Sequence, residues 1–242
     1  KELDEVFQGE LLTPSRVTKV REGSSTFLPN FHHIWNAVEG KGSTYRLISI
    51  NRSETVVFGI VGRKDDRLVF EMAATGKEGS LTLQIETAGD PTVDANVRRL
   101  VVQGSGDPPV LLDEATVQSM LKNAGNLAAS VGRLDGGGAE NLGAVVGSVQ
   151  DLGVENVTTP AGTFACRKVK LGGDDTRNPP TTVWLNEAAV PFGVVKIECL
   201  SMMVDMQLTS LVAAMKTSIK GVPQPAKLSV LATNPAVNPD AK

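Results

Sequence analysis

Imidazole, thiol and phenol groups are scarce in this chain: its 242 residues hold two histidines, two cysteines and a single tyrosine. His32 and His33 are adjacent, so on an extended chain they point to opposite sides and cannot clasp a metal together. The same scarcity, with no GxSxG turn, removes the usual Ser-His-Asp and Cys-His arrangements, in which a nucleophile needs its base within hydrogen-bond reach. No run of about 18 apolar residues occurs, so no segment reads as a membrane-spanning helix. Basic residues are not in excess either. The 24 Lys and Arg against 27 Asp and Glu give a net charge of −3 and a pI near 5.5, which offers no broad attraction for nucleic acid or anionic head groups. Arg98-Arg99 is the one adjacent arginine pair and reads as a solvated strand end.

Near-misses to nucleotide motifs fail on inspection. Gly40-Lys41-Gly42 imitates the end of a phosphate loop, but Trp35 stands where the first glycine belongs and Gly42 where Ser or Thr should be. Gly136-Gly137-Gly138 is followed by Asn141 at the place of the third dinucleotide-motif glycine and has no strong strand before it. Paired carboxylates at Asp65-Asp66 and Asp174-Asp175 sit in turn-like segments, where solvation and turn formation explain them. No cofactor and no metal is expected.

What the chain does contain is strand-length segments at even spacing. Ser43–Ile50, Thr55–Gly62, Arg67–Ala74, Gly79–Thr87 and Asn96–Gln103 are separated by short polar turns, the pattern of an up-and-down antiparallel sheet. Alternation places Val56, Phe58, Ile60, Leu68, Phe70, Met72, Leu81, Leu83 and Ile85 on one buried face. Asp113 caps a helix over Asp113–Asn123, with Val117, Met120, Leu121 and Ala124 as its apolar stripe. Gly132–Gly147 is glycine-dense and reads as a long loop, and Gln207–Lys220 reads as a strand passing into a short helix.

In the second half, Val149–Val157 and Thr163–Leu171 flank Thr159-Pro160-Ala161-Gly162 and should close as a hairpin. A loop, a strand over Thr181–Glu187, a turn at Val190–Gly193 and a long strand over Val194–Leu208 follow. Cys166 and Cys199 could form the one possible disulfide. With Thr181–Glu187 between their strands the Cα atoms would lie about 9–10 Å apart, so two buried free thiols are expected.

The order V-x-TPAGTF-x-C, loop, VWLN, VPFGVVK and a closing apolar strand, over residues 149–208, resembles the periplasmic lipoprotein carriers of the LolA/LolB-like superfamily. The resemblance covers about a quarter of the chain. It implies a mainly β (α+β) fold, a curved antiparallel half-barrel of about 8–11 strands with one or two capping helices. It also implies diffuse apolar ligand contacts with no catalytic residues to carry over. The expected organisation is an N-terminal arm at 1–39, one β-domain at 40–220 and an extended Pro-rich tail at 221–242.

The function these readings point to is a non-enzymatic cell-envelope protein, periplasmic or associated with the outer membrane. It would bind acyl chains or a lipidated protein through Phe58, Phe70, Met72, Leu83, Trp184, Met202 and Met206. Burying each methylene would supply about 0.8 kcal/mol, so no charged anchor is required. Because it starts at Lys1 without a charged-then-apolar leader, the chain suits a trimmed protein or one whose signal peptide has been removed. The alternative is a structural subunit of an envelope or extracellular assembly, its arm and tail clasping neighbouring proteins, with Leu228, Val230 and Leu231 as the tail's anchors.

Overall fold

The computed structural model describes residues 33–49, 52–77, 79–123, 149–172, 180–199 and 204–226. Twelve strands form one open sheet in the shape of a curved half-barrel: β1 Gly42–Ser49, β2 Arg52–Lys64, β3 Arg67–Gly76, β4 Gly79–Thr87, β5 Val97–Gly104, β6 Val110–Leu112, β7 Val149–Thr159, β8 Gly162–Leu171, β9 Thr181–Leu185, β10 Val194–Cys199, β11 Val204–Val212 and β12 Gln224–Pro225. Their order in the sheet is β12-β6-β5-β4-β3-β2-β1-β11-β10-β9-β8-β7. The two expected strand sets therefore join into one sheet through β1 and β11, which pair antiparallel. All neighbours run antiparallel except β12 and β6. One helix, α1 (Glu114–Asn123), follows β6. The Asp113 carboxylate accepts the Thr116 N–H at 2.8 Å and caps it, while Val117 is buried at its foot.

Period-two alternation decides which face is covered. One row across the sheet runs Ile60, Phe70, Ile85, Leu100, Leu112, and the next runs Ser43, Phe58, Met72, Leu83, Val102. Of the nine residues expected inward, Val56, Phe58, Ile60, Phe70, Leu83 and Ile85 are buried; Leu68, Met72 and Leu81 are half-buried. This inner face holds the hydrophobic core.

Two expectations are corrected. Val194–Leu208 is not one strand: β10 and β11 fold back on each other as a hairpin, Cys199 opposite Val204. Leu200-Ser201-Met202-Met203, between the two strands, contains no Gly, Pro, Asn or Asp, so the sequence carries only the weak turn signal of one serine there. Nor does a helix follow β11. Residues 213–226 run as a strap over the sheet's outer face and end as β12 on the edge of β6. The apolar spacing at Leu208, Leu211, Val212, Met215 and Ile219 suits a helix, but Thr217 and Ser218 direct their hydrogen bonds to Glu71 of β3 instead. The strand count also exceeds the expected 8–11, because β6 and β12 are too short to register in sequence. The loop at 132–147 and the anchors Leu228, Val230 and Leu231 lie outside the described residues.

Candidate functional site

The inner face brings together Phe58, Phe70, Met72 and Leu83 in neighbouring rows of β2, β3 and β4. Met206 of β11 lies on the same face near the sheet's midline, opposite Leu47 of β1 and Ile197 of β10. Met202 falls outside the described residues. Trp184 does not join this group. On β9 it stands between Val183 and Leu185 in sequence, so its ring projects from the opposite face, flanked by Lys168 of β8 and Lys196 of β10.

Two segments cover the inner face. The connection from β9 to β10, Asn186–Gly193, contains a cis Val190–Pro191 bond and folds back so that Phe192 enters the core. Hydrogen bonds from Ser43 Oγ to Val190 O (2.6 Å) and from Tyr45 Oη to Val194 O (2.8 Å) tie this connection to β1. Burial pushes the Tyr45 phenol well above its ordinary range, so it stays a neutral donor. Residues 34–36 then pair with the same connection: Ile34 N–H donates to Phe192 O at 2.9 Å and Asn36 N–H to Pro191 O at 2.8 Å. Ile34 rests directly on Gly193, whose φ of +66° and missing side chain leave the space it needs. Trp35 and Phe192 lie 5.5 Å apart, and Phe192 sits 5.4 Å from Phe58 and 5.5 Å from Phe70. Aromatic rings at such separations pack with favourable tilted or edge geometry.

The result is a filled face. Phe70 is 0% exposed, Phe58 and Leu83 are 3% exposed, and Met206 is 1% exposed, all shielded by side chains of the same molecule.

His33 closes one end of this cover. Its Nε2 lies 2.8 Å from Asp90 Oδ2, in the connection from β4 to β5, and its ring meets Phe192 edge-on at 5.0 Å. Burial pushes the Asp90 carboxyl up. The bond and charge of His33, with two hydrogen bonds from Thr92, outweigh that and hold it below the ordinary carboxylate range. Thr92 Oγ1 also approaches the histidine, at 3.5 Å, but to the same nitrogen that meets Asp90. A relay needs hydroxyl and carboxylate on opposite ring nitrogens, so this trio is a structural clamp rather than a nucleophile with its base. Among the described residues no group of three His, Cys, Asp or Glu side chains is placed to hold a metal ion.

On the outer face Trp184 donates to Glu155 of β7, and Lys168 and Lys196 lie over its ring at 5.1 and 5.2 Å. The Trp184 bond, with the two lysines, holds the Glu155 carboxyl below its usual range. Cys166 and Cys199 are both buried thiols, on strands separated by β9. Burial, with the nearby Glu155 charge, pushes the Cys166 thiol up to about 12. Such a thiol stays protonated at neutral pH and is a poor nucleophile.

Sequence reasoning missed Trp35, Tyr45 and His33 as members of the inner cluster. Trp35 and His33 precede the alternating segments that mark the sheet, and Tyr45 lies in β1, where Leu47 is the one other large apolar residue on its face. Among the described residues no helix is long and apolar enough to cross a membrane.

No family model and no curated protein matches the chain. Among solved structures, it is similar to one described as an exported protein with a YmcC-like fold from Bacteroides fragilis, at 13% identity and a TM-score of 0.33, over 74% of this chain and 98% of that one. A structure described as a lipoprotein from Parabacteroides distasonis is similar at 11% identity and the same TM-score, again over 74% of this chain and 98% of that one. Likeness this faint assigns the chain to no family.

Proposed function

We propose that the chain is a non-catalytic scaffold of the cell envelope that works through its protein surfaces, as a structural subunit. The observation that carries this reading is the inner face filled by the chain's own Phe192, Trp35 and Ile34, which leaves Phe58 and Phe70 with almost no exposed surface. A half-barrel that occupies its own hollow has its rims, edges and outer face left for contact. The envelope placement rests on the resemblance over residues 149–208. The absence of catalysis rests on the character of the one described histidine, buried and clamped, and of the raised Cys166 thiol.

Acyl binding is the second reading, favoured by the unbroken apolar rows of β2, β3 and β4. It requires Phe192 and Trp35 to give way. Native mass spectrometry of protein purified from its source separates the two. A protein partner or a defined oligomer without lipid supports the scaffold. Stoichiometric lipid on a monomer overturns it in favour of acyl carriage.

A further inference from the structure

One row of the outer face runs Gly42, Gly59, Glu71, Gln84, Val101, Leu111 across β1 to β6, and the strap at 213–226 follows it. The row begins with two glycines inside strands, where glycine weakens the sheet and often marks the close approach of another part of the chain. Here Met215 makes that approach. A methyl group at Gly59 would meet Met215 Cγ at 2.9 Å and Sδ at 3.0 Å, and one at Gly42 would meet Sδ at 3.3 Å. The thioether therefore sits in a notch that exists because both side chains are missing. Its own N–H donates to Gly40 O at 2.6 Å and fixes the approach.

Beyond Met215 the strap is held by polar bonds. Thr217 Oγ1 donates to Glu71 Oε2 at 2.7 Å, the Ser218 N–H donates to Oε1 at 2.8 Å, and Gln84 Nε2 donates to Thr217 Oγ1 at 3.0 Å. Most strap side chains are exposed, and bonds on such a segment replace bonds to water at little net gain. The start of the strap thus depends on the seated thioether.

We infer that Met215 is an oxidation site and the redox-sensitive latch of the strap: peroxide converts its thioether to the sulfoxide, which no longer fits the notch and frees residues 215–218. The sulfur lone pair attacks one oxygen of hydrogen peroxide and the O–O bond breaks. The displaced hydroxide takes the proton of the transferred oxygen and leaves as water, so sulfur loses two electrons and peroxide gains them. Met215 is half-buried on the outer face, so peroxide reaches its sulfur from solvent. Met72, half-buried, and Met206, 1% exposed, lie on the covered inner face. The sulfoxide is polar and chiral, and the oxygens bordering the notch, Phe58 O and Lys41 O, are acceptors that offer it no hydrogen. This rests on the strap's geometry and does not depend on the scaffold reading.

The test treats the full chain with hydrogen peroxide, locates the sulfoxide by peptide mass spectrometry and follows amide exchange. Sulfoxide is expected at Met215 ahead of Met72 and Met206, with exchange of the Met215 and Ser218 amides faster by roughly tenfold and that of β3 unchanged. Methionine sulfoxide reductase, oxidising its own thiol pair to a disulfide and releasing water, should restore the original rates. Met215→Leu keeps an apolar side chain without the sulfur and should hold native rates with and without peroxide. Three results overturn the inference. Met215 stays a thioether while a synthetic peptide of residues 213–226 oxidises fully under the same conditions; or the sulfoxide forms with no change in exchange; or Met215→Leu loosens equally on peroxide. Should leucine itself unseat the strap, loss and recovery of protection in the unaltered chain, peroxide first and reductase second, still decide the matter.

Discussion

Phe70 and His33 show how differently two single residues can matter on the same inner face. Phe70 contributes a whole ring to the centre of the core, touching Phe58, Phe192 and Trp35. Phe70→Ala is expected to cost about 3–5 kcal/mol in chemical denaturation, the sum of lost burial and a cavity. Sequence alone makes His33 a surface or partly packed residue whose loss changes little. In the fold its side chain is 5% exposed and paired, so His33→Ala is expected to cost about 1–2 kcal/mol, the range for leaving a buried hydrogen-bonding partner unsatisfied. Equal stability of His33→Ala and the native chain would remove the clamp from this account. The pH dependence follows from Asp90, whose folded pKa is depressed. Stability from this group is present above its unfolded value of about 3.9 and is lost as pH falls through the lower folded value. Asp90→Asn should therefore flatten the acid side of the stability curve in that window, read from denaturation midpoints between about pH 2 and 5.

Among the elements, β8 and β10 carry the two thiols, and their separation by β9 makes a bridge geometrically closed to them. Both should resist a thiol reagent at about pH 8 in the native state and react fully on denaturation, Cys166 most clearly because burial raises its pKa. Fast native reaction at Cys166 would contradict its placement. The edge strand β7 is exposed along most of its length, with Val154 at 61% exposure. It is guarded by an irregularity at Asp151–Val154, where Gly153 adopts a φ of +85°, and by the charges of Asp151 and Glu155. Bulges and charges of this kind discourage edge-to-edge association. Val154→Lys should therefore leave the oligomeric state unchanged in sedimentation.

At the scale of the molecule, a single sheet carries one continuous core from β6 to β8. Trp35 reports on the cover of the inner face and Trp184 on the outer face of β9, and the chain has no other tryptophan. The single-tryptophan variants Trp35→Phe and Trp184→Phe should therefore lose fluorescence structure at the same urea midpoint as the backbone circular dichroism of each variant. Cooperative single-core domains unfold this way. Separated midpoints would mean that the half built on β1 to β6 and the half built on β7 to β11 unfold as two units.

Local pattern was enough to determine the class of fold, most strand positions, the capped helix and the buried face of β2 to β4, because period-two alternation and polar turns are properties of short segments. It also placed Phe58, Phe70, Met72 and Leu83 on one face. Only tertiary structure decided that Asn186–Gly193 and residues 34–36 would fill that face, that Trp184 would look the other way, and that 213–226 would lie as a strap. Each of these depends on partners distant in sequence, more than a hundred residues apart for Ser43 with Val190 and for Glu71 with Ser218. A helical spacing near Met215 says nothing of a buried carboxylate waiting on β3. The pairing of β10 with β11 escaped for a related reason: Leu200-Ser201-Met202-Met203 between them has no Gly, Pro, Asn or Asp to mark a break in the apolar run.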